Sequence, residues 1–250
     1  MRQKAIGDPP VAFCFLFIRD SVTMLRAIIF DCDGVIADTE PMHLAAFQRV
    51  LEEEGILLTS DQYYRDYLAL DDRNCFTRVH NDRRIPLGSE KLADLITRKA
   101  EYIEPMMRSH LLVFPGVVEF MRRVSERYSM AVASGALRHE VEMVLQHAGV
   151  RELFQVVVAA EDVVNGKPHP EPFLKACSLL NASREEAIGS HECLVIEDSI
   201  PGIRAAHNAG MRCLAVTNSY PRERLDNADL VVEGLAEVSI EDLEDLFQGK

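Results

Sequence analysis

The chain has 250 residues, 48% hydrophobic and 27% charged, an ordinary balance for a globular protein with room for a sizeable core. Its 40 acidic residues outnumber 27 basic ones, giving a net charge of −13. That surface repels nucleic acid and anionic membrane, and no basic, aromatic-interleaved patch offsets it.

Residues 1–23 stand apart. Val11 to Ile18 reads VAFCFLFI, an apolar run too short to span a bilayer. Pro9 and Pro10 precede it and no small-residue cleavage site is obvious, so it makes a poor signal peptide. The functional domain is expected to begin at Met24. The first 23 residues are then an extension, either disordered or adding an edge strand, or a misplaced start.

Leu25 to Phe30 is a short apolar run of the kind buried on both faces of a sheet, and it ends in Asp31-Cys32-Asp33-Gly34. Two carboxylates at i and i+2 past a buried strand are costly unless a positive group meets them. A magnesium ion suits them, being a hard cation that takes carboxylate and phosphate oxygens together. Gly34 lets the backbone turn sharply. A plain solvated turn is the alternative, since Asp and Gly are common turn residues. Cys32 is no nucleophile on this reading, because the neighbouring carboxylates oppose its thiolate. The six cysteines form no CxxC pair and lie mostly in apolar runs, as thiols do in a reducing cytoplasm.

Helical spacing then predicts helices over Pro41–Glu54, Gln62–Leu70, Arg73–His80 and Glu90–Met107, the last complicated by Pro105. No strand pattern occurs between Asp38 and Leu112. This is an all-helical insertion large enough to serve as a lid. Arg73 stands in it within ALDDRNC, either as a salt-bridged surface residue or as a ligand contact.

From Val117 the pattern alternates. Helices are expected at Val117–Glu126, Leu137–Ala148, Pro170–Leu180, Pro201–Ala209 and Val238–Phe247. Strands are expected at Ser129–Ala133, Gln155–Val158, Cys193–Ile196, Arg212–Val216 and Leu230–Val232. Such alternation implies an α/β fold, a parallel sheet covered on both faces. Ligands of these sheets sit beyond the carboxyl ends of the strands. Asp31 and Asp33, Ser134 and Gly135, and Glu197 and Asp198 all follow strands at that edge, with Lys167 in the loop after the third strand. The last 25 residues carry eight acids against Lys250 alone, which favours solubility and says little about mechanism.

With FDCDGVIADTE at 30–40, ASG at 133–135, NGKPHPEPF at 165–173 and VIEDSIPGIRAAHNAGM at 195–211, the chain resembles the haloacid dehalogenase superfamily. Within it, the resemblance is to the sugar-phosphate phosphatase and beta-phosphoglucomutase-like branch with a helical cap, and it covers residues 24–235. It implies a Rossmann-like parallel-sheet core, 24–37 and 113–250, with an inserted all-helical cap domain at 38–112.

The resemblance also implies roles. Asp31 would be the nucleophile that becomes an aspartyl phosphate, and Asp33 the acid for the leaving alcohol and then the base for water. Ser134, Gly135 and Lys167 would hold the phosphoryl oxygens. Asp31, the Asp33 backbone carbonyl and Asp198 would bind Mg2+, with Glu197 beside them as a ligand or as a partner of Lys167. His43 and Arg73 would contact substrate. The partner is then a small phosphorylated metabolite, met by a cytoplasmic monomer with a dimer left open.

Asp33 disfavours dehalogenation, because a halide needs no proton. The mutases of the branch carry a lysine and an arginine in a cap loop reading roughly KGxxR. Here Tyr67-Leu68-Ala69-Leu70-Asp71-Asp72-Arg73 lacks the lysine and adds two acids. That weakens a second phosphoryl site, so hydrolysis of a sugar phosphate or phosphoglycolate is preferred over a phosphomutase. A catalytically silent binding protein would be expected to have lost Asp31 or Asp33, and both are present.

Overall fold

Ala27–Phe30 (β1) sends Ile28 and Phe30 into one apolar cluster and Ala27 and Ile29 into another, because successive side chains of a strand point to opposite faces. All four residues are fully buried, and each large one stabilises the fold by roughly 1.5–3 kcal/mol. The computed structural model describes residues 24–248; the expected extension at 1–23 lies outside them.

β1 pairs in parallel with Ser129–Ala133 (β4) on one side and Cys193–Glu197 (β6) on the other. Val156–Val158 (β5) extends the sheet beyond β4, and Arg212–Val216 (β7) and Leu230–Val232 (β8) extend it beyond β6. The order is therefore β5-β4-β1-β6-β7-β8. The chain builds outward from β1 in both directions, so a crevice opens at its carboxyl end. Val117–Ser125 (α5), Arg138–His147 (α6) and Ile240–Asp245 (α9) cover the Phe30 face. Glu171–Leu180 (α7) and Ile200–Asn208 (α8) cover the Ile29 face. This is the α/β architecture the sequence implies.

Two short strands, Ala37–Asp38 (β2) and Leu112–Val113 (β3), pair antiparallel where the chain leaves and re-enters the core. Between them lie Glu40–Glu53 (α1), Ser60–Gln62 (α2), Asp72–Asp82 (α3) and Ser89–His110 (α4). These helices have a core of their own, in which the Phe47 and Phe76 rings meet edge to face at 5.0 Å.

Some boundaries differ from the periodicity. The helix expected over Gln62–Leu70 is one α-turn capped by Thr59, then a π-helical stretch Tyr63–Tyr67 that stops at Leu68. Ala69 lies at φ 63°, outside helical space, and residues 68–71 form a loop. α3 begins at Asp72 because Asp71 caps it, its carboxylate accepting from Asn74 N at 2.8 Å. α4 runs through Pro105 to His110, although a proline inside a helix removes one hydrogen bond and crowds the carbonyl four residues earlier. α9 is shorter than expected, its start fixed by the Ser239 cap.

Cap helices and core meet through a buried cation. Lys99 of α4 is fully buried, with Nζ 2.9 Å from Asp72 Oδ1 and 3.3 Å from Glu140 Oε1 of α6. It also contacts His43 Nδ1 at 2.7 Å. Burial opposes its charge, but the two carboxylates outweigh that and raise its pKa. Lys99→Met leaves Asp72 and Glu140 buried without a counter-charge, a change that costs about 3–5 kcal/mol. Urea denaturation is expected to show that loss, and a change under about 1 kcal/mol contradicts the pairing.

Candidate active site

Asp31 follows β1 and keeps its ladder, donating its backbone N–H to Ile196 O at 2.9 Å. Its carboxylate therefore emerges at the sheet edge, beside the end of β6. The chain then turns at Gly34, which has φ +74° and lies so close to Asp198 that a Cβ would sit 1.9 Å from its Oδ2. Only glycine fits there. The turn brings Asp33 back toward the cap, where its Oδ1 accepts from the Thr39 hydroxyl at 2.6 Å. His43 Nε2 lies 3.7 Å from the same oxygen. Asp33 Oδ2 accepts from Ser134 Oγ, one residue past β4, at 3.2 Å. Ser134 Oγ itself accepts from Ala136 N at 3.0 Å, which fixes its direction.

Lys167 reaches the same edge from the loop after β5. Its ammonium lies 2.9 Å from Asp31 Oδ1 and donates to Glu197 Oε1 at 2.6 Å. Glu197 is fully buried, and its other oxygen accepts from the backbone N–H of Asp198 and Ser199 and from the Ser199 hydroxyl. With both oxygens engaged, Glu197 is built to hold Lys167 and the 198–199 backbone. Asp198 Oδ2 accepts from the Ser219 hydroxyl, and Asn218 donates to Gly34 O at 2.6 Å.

The electrostatics follow from crowding. Burial pushes the Asp31 carboxyl up to about 8; Lys167 opposes this, while Glu197 and Asp33 add to it. Burial, then Glu197 and Asp31, raise Asp198 well above the carboxylate range. For Asp33 burial works the same way, but His43 and the Thr39 hydroxyl outweigh it and hold the group at about 2. Cys32 is pushed up by burial and by both neighbouring aspartates, so its thiol stays protonated.

Asp31, Glu197 and Asp198 each offer an oxygen within 4.8 Å of the others. Three buried carboxylates against Lys167 leave a deficit of positive charge, and an all-oxygen donor set suits a hard divalent cation. Asp31 and Asp198 have the geometry to bind one directly. The Asp33 side chain is turned the other way, toward Thr39 and Ser134.

Of the residues expected at the site, Asp31, Asp33, His43, Gly135, Lys167 and Asp198 line one small pocket of about 80 Å³. Glu197 supports it from beneath through its bond to Lys167, and Ser134 bonds Asp33 from the adjoining cleft. Arg73 is exposed and lines that wider cleft of about 1090 Å³, between α3, α4 and the 160–170 loop, which shares Asp71, Asp72, Gly135 and Lys167 with the small pocket. The sequence reading missed Asp72 as a lining residue, along with Lys99, Glu140, Asn218 and Ser219. Asn218 and Ser219 follow β7 at the same edge, a signal that could have found them. Lys99 gave no signal, since a lysine on an amphipathic helix reads as solvated.

Magnesium chloride is expected to raise the melting temperature, and more at pH 8 than at pH 5. The folded pKa of Asp31 lies above its unfolded value. Without a cation, that stabilising contribution is complete below about pH 4 and is lost as pH rises through about 8. A cation held by the ionised forms reverses the loss, by about 2.7 kcal/mol at one hundred times its dissociation constant. Asp198→Asn is expected to remove most of the shift. An equal shift in that variant, or none in the parent at pH 8, contradicts the assignment.

Residues 28–216, well over half of the chain, match the haloacid dehalogenase-like hydrolase family. The chain is 30% identical over 220 residues to the chloroplastic 5-amino-6-(5-phospho-D-ribitylamino)uracil phosphatase of Arabidopsis thaliana. That match covers 87% of this chain but only 57% of the plant protein. It is 27% identical over 216 residues to the validoxylamine A 7'-phosphate phosphatase of Streptomyces hygroscopicus subsp. limoneus, covering 86% of this chain and 96% of the relative. In structure it resembles the β-phosphoglucomutase of Clostridium difficile, with a TM-score of 0.79 and 25% identity over 90% of this chain and 97% of that one. Parallel-sheet core, helical insertion, carboxylate cluster and family match agree: the chain belongs to the haloacid dehalogenase-like hydrolases.

Proposed function

We propose that this hydrolase is a magnesium-dependent phosphatase that cleaves a small organic phosphomonoester through an aspartyl phosphate on Asp31. The observation that carries the reading is the placement of Lys167 between Asp31 and Glu197, with Asp33 facing the cap two residues on. Phosphoryl transfer needs positioning and charge neutralisation above all. Asp31 and Asp198 would hold magnesium, which would supply the positive charge that lets a phosphate dianion approach a carboxylate.

The remaining chemistry is assigned to the chain's own side chains. Lys167 and the Ser134 hydroxyl donate to non-bridging oxygens, and the Gly135 backbone N–H adds a further donor. An Asp31 oxygen attacks phosphorus while the bond to the leaving oxygen breaks. Asp33 gives that oxygen its proton. It is ionised in the free site, an incoming dianion beside it increases its affinity for a proton, and it takes that proton from solvent as substrate enters. Asp33 then takes a proton from water, whose oxygen attacks phosphorus and breaks the bond to Asp31. Phosphate and the free carboxylate are restored.

The likeness to β-phosphoglucomutase favours a second reading, a phosphomutase. It needs a cap site for a second phosphoryl group, and the loop at 68–72 carries Asp71 and Asp72 there with no lysine. Hydrolysis is the better fit. No helix among the described residues is long and apolar enough to cross a membrane. The five described cysteines are free and buried, which supports a reducing, cytoplasmic setting. The division into a core at 24–37 and 113–250 and a cap at 38–112 is part of the same proposal.

Purified protein is expected to release phosphate from p-nitrophenyl phosphate only when magnesium is present. Asp31→Asn is expected to abolish release, and Asp33→Asn to lower it by about 10²–10⁴-fold. β-Glucose 1-phosphate with a bisphosphate primer separates the two readings: free phosphate supports the phosphatase, and accumulating glucose 6-phosphate overturns it.

A further inference from the structure

We propose that Asp71 and Asp72 select phosphomonoesters whose alcohol half, next to the ester, presents hydroxyl or ammonium donors and carries no second anion. This deepens the phosphatase reading and rests on it. Asp72 is 9% exposed and lines the inner pocket with Asp31, Asp33 and Lys167. Its Oδ1 is held by Lys99 at 2.9 Å, while its Oδ2 is buried without a hydrogen-bond partner. His43 Nε2 on the same lining is also buried and faces Asp33 Oδ1 at 3.7 Å, beyond hydrogen-bond reach. Lys99 donates to His43 Nδ1, which leaves the ring proton on Nε2. The pocket therefore offers an unused buried acceptor from the cap, which a hydroxyl or ammonium donor satisfies.

Asp71 is fixed just as firmly. Its two oxygens accept from Asn74 N at 2.8 Å and from Asn74 Nδ2 at 2.7 Å. It is pressed against Gly166, where a Cβ would lie 2.4 Å from its Oδ2, and touches the space over Gly135. The loop tip thus sits between the two segments that carry Ser134 and Lys167.

Charge decides what may follow the phosphoryl group into this space. Asp31, Asp33, Glu40, Asp71, Asp72 and Asp198 line the pocket, and Lys167 is its one lysine or arginine. Once Lys167 and a divalent cation meet the phosphoryl oxygens, the carboxylates left on the lining have no lysine or arginine beside them on it. A carboxylate or second phosphate on the adjacent carbons would enter among them with no counter-charge, whereas an ammonium or hydroxyl donates to them. Arg73 makes no ion pair among the described residues; it lines the wider cleft, which also reaches Ser134, Gly135 and Lys167, but not the inner pocket that holds Asp31 and Asp33.

The test uses three compounds with the same two-carbon chain: phosphoethanolamine, ethylene glycol monophosphate and phosphoglycolate. Each competes at pH 7.5 against p-nitrophenyl phosphate hydrolysis by the full chain with magnesium, which ranks affinity whether or not the competitor turns over. Phosphoglycolate is expected to compete at least tenfold more weakly than the other two. In the double variant Asp71→Asn, Asp72→Asn that ratio is expected to fall toward one, whereas a purely structural role would weaken all three equally. Should the double variant not fold, Asp71→Asn alone keeps a capping residue at 71 and is expected to lower the ratio by several-fold. Equal or stronger competition by phosphoglycolate, or a ratio unmoved in the variants, overturns the selection and leaves the phosphatase reading standing. Absence of p-nitrophenyl phosphate hydrolysis overturns the phosphatase reading and the selection with it.

Discussion

The structure depends on one ammonium group held between two carboxylates at the end of a buried sheet. Lys167 meets Asp31 and Glu197, and Glu197 is in turn locked by three donors from residues 198 and 199. Without that lysine the edge would carry buried negative charge that the fold could not sustain. With it, the edge still gathers three buried carboxylates around one lysine, a donor set that a hard divalent cation would fit. On the proposed function, cation and phosphoryl group would complete the balance together.

The same device recurs one layer out. Lys99 meets Asp72 and Glu140, which ties the cap to α6 of the core, and it turns His43 toward Asp33. The two lysines flank the aspartates between them. Asp31 is crowded by acids, whereas Asp33 has His43 and Thr39 at its side, so burial raises one carboxyl and the neighbours hold the other down. On the proposed mechanism, that opposite push lets one short loop supply both nucleophile and acid–base group.

The core was legible because each strand is a continuous apolar run ending in a polar residue that the sheet geometry brings to one edge. Asp31, Ser134 and Glu197 are read that way with no knowledge of distance. Lys167 follows from its loop, though the run of sequence after β5 says nothing of the bond to Glu197. The cap was legible as helices and less so as a surface. Tyr63 and Tyr67 of the π-helical stretch pack within the cap, and Leu68 and Ala69 pack against a core cluster, so the loop that follows puts Asp71 and Asp72 on the inner pocket and leaves Arg73 off it. Buried Lys99 was invisible for a related reason: its helix has an ordinary amphipathic pattern, and it is the approach of α1, α3 and α6 that removes the side chain from water.

The claim that everything turns on is that Asp31 forms a bond to phosphorus. Borohydride reduces an acyl phosphate to the alcohol, so quenching the enzyme with it during turnover should convert Asp31 to homoserine in the peptide spanning residues 30–40. The account predicts that conversion only with magnesium and substrate together. Phosphate release with an unaltered Asp31 peptide under the same quench would contradict it.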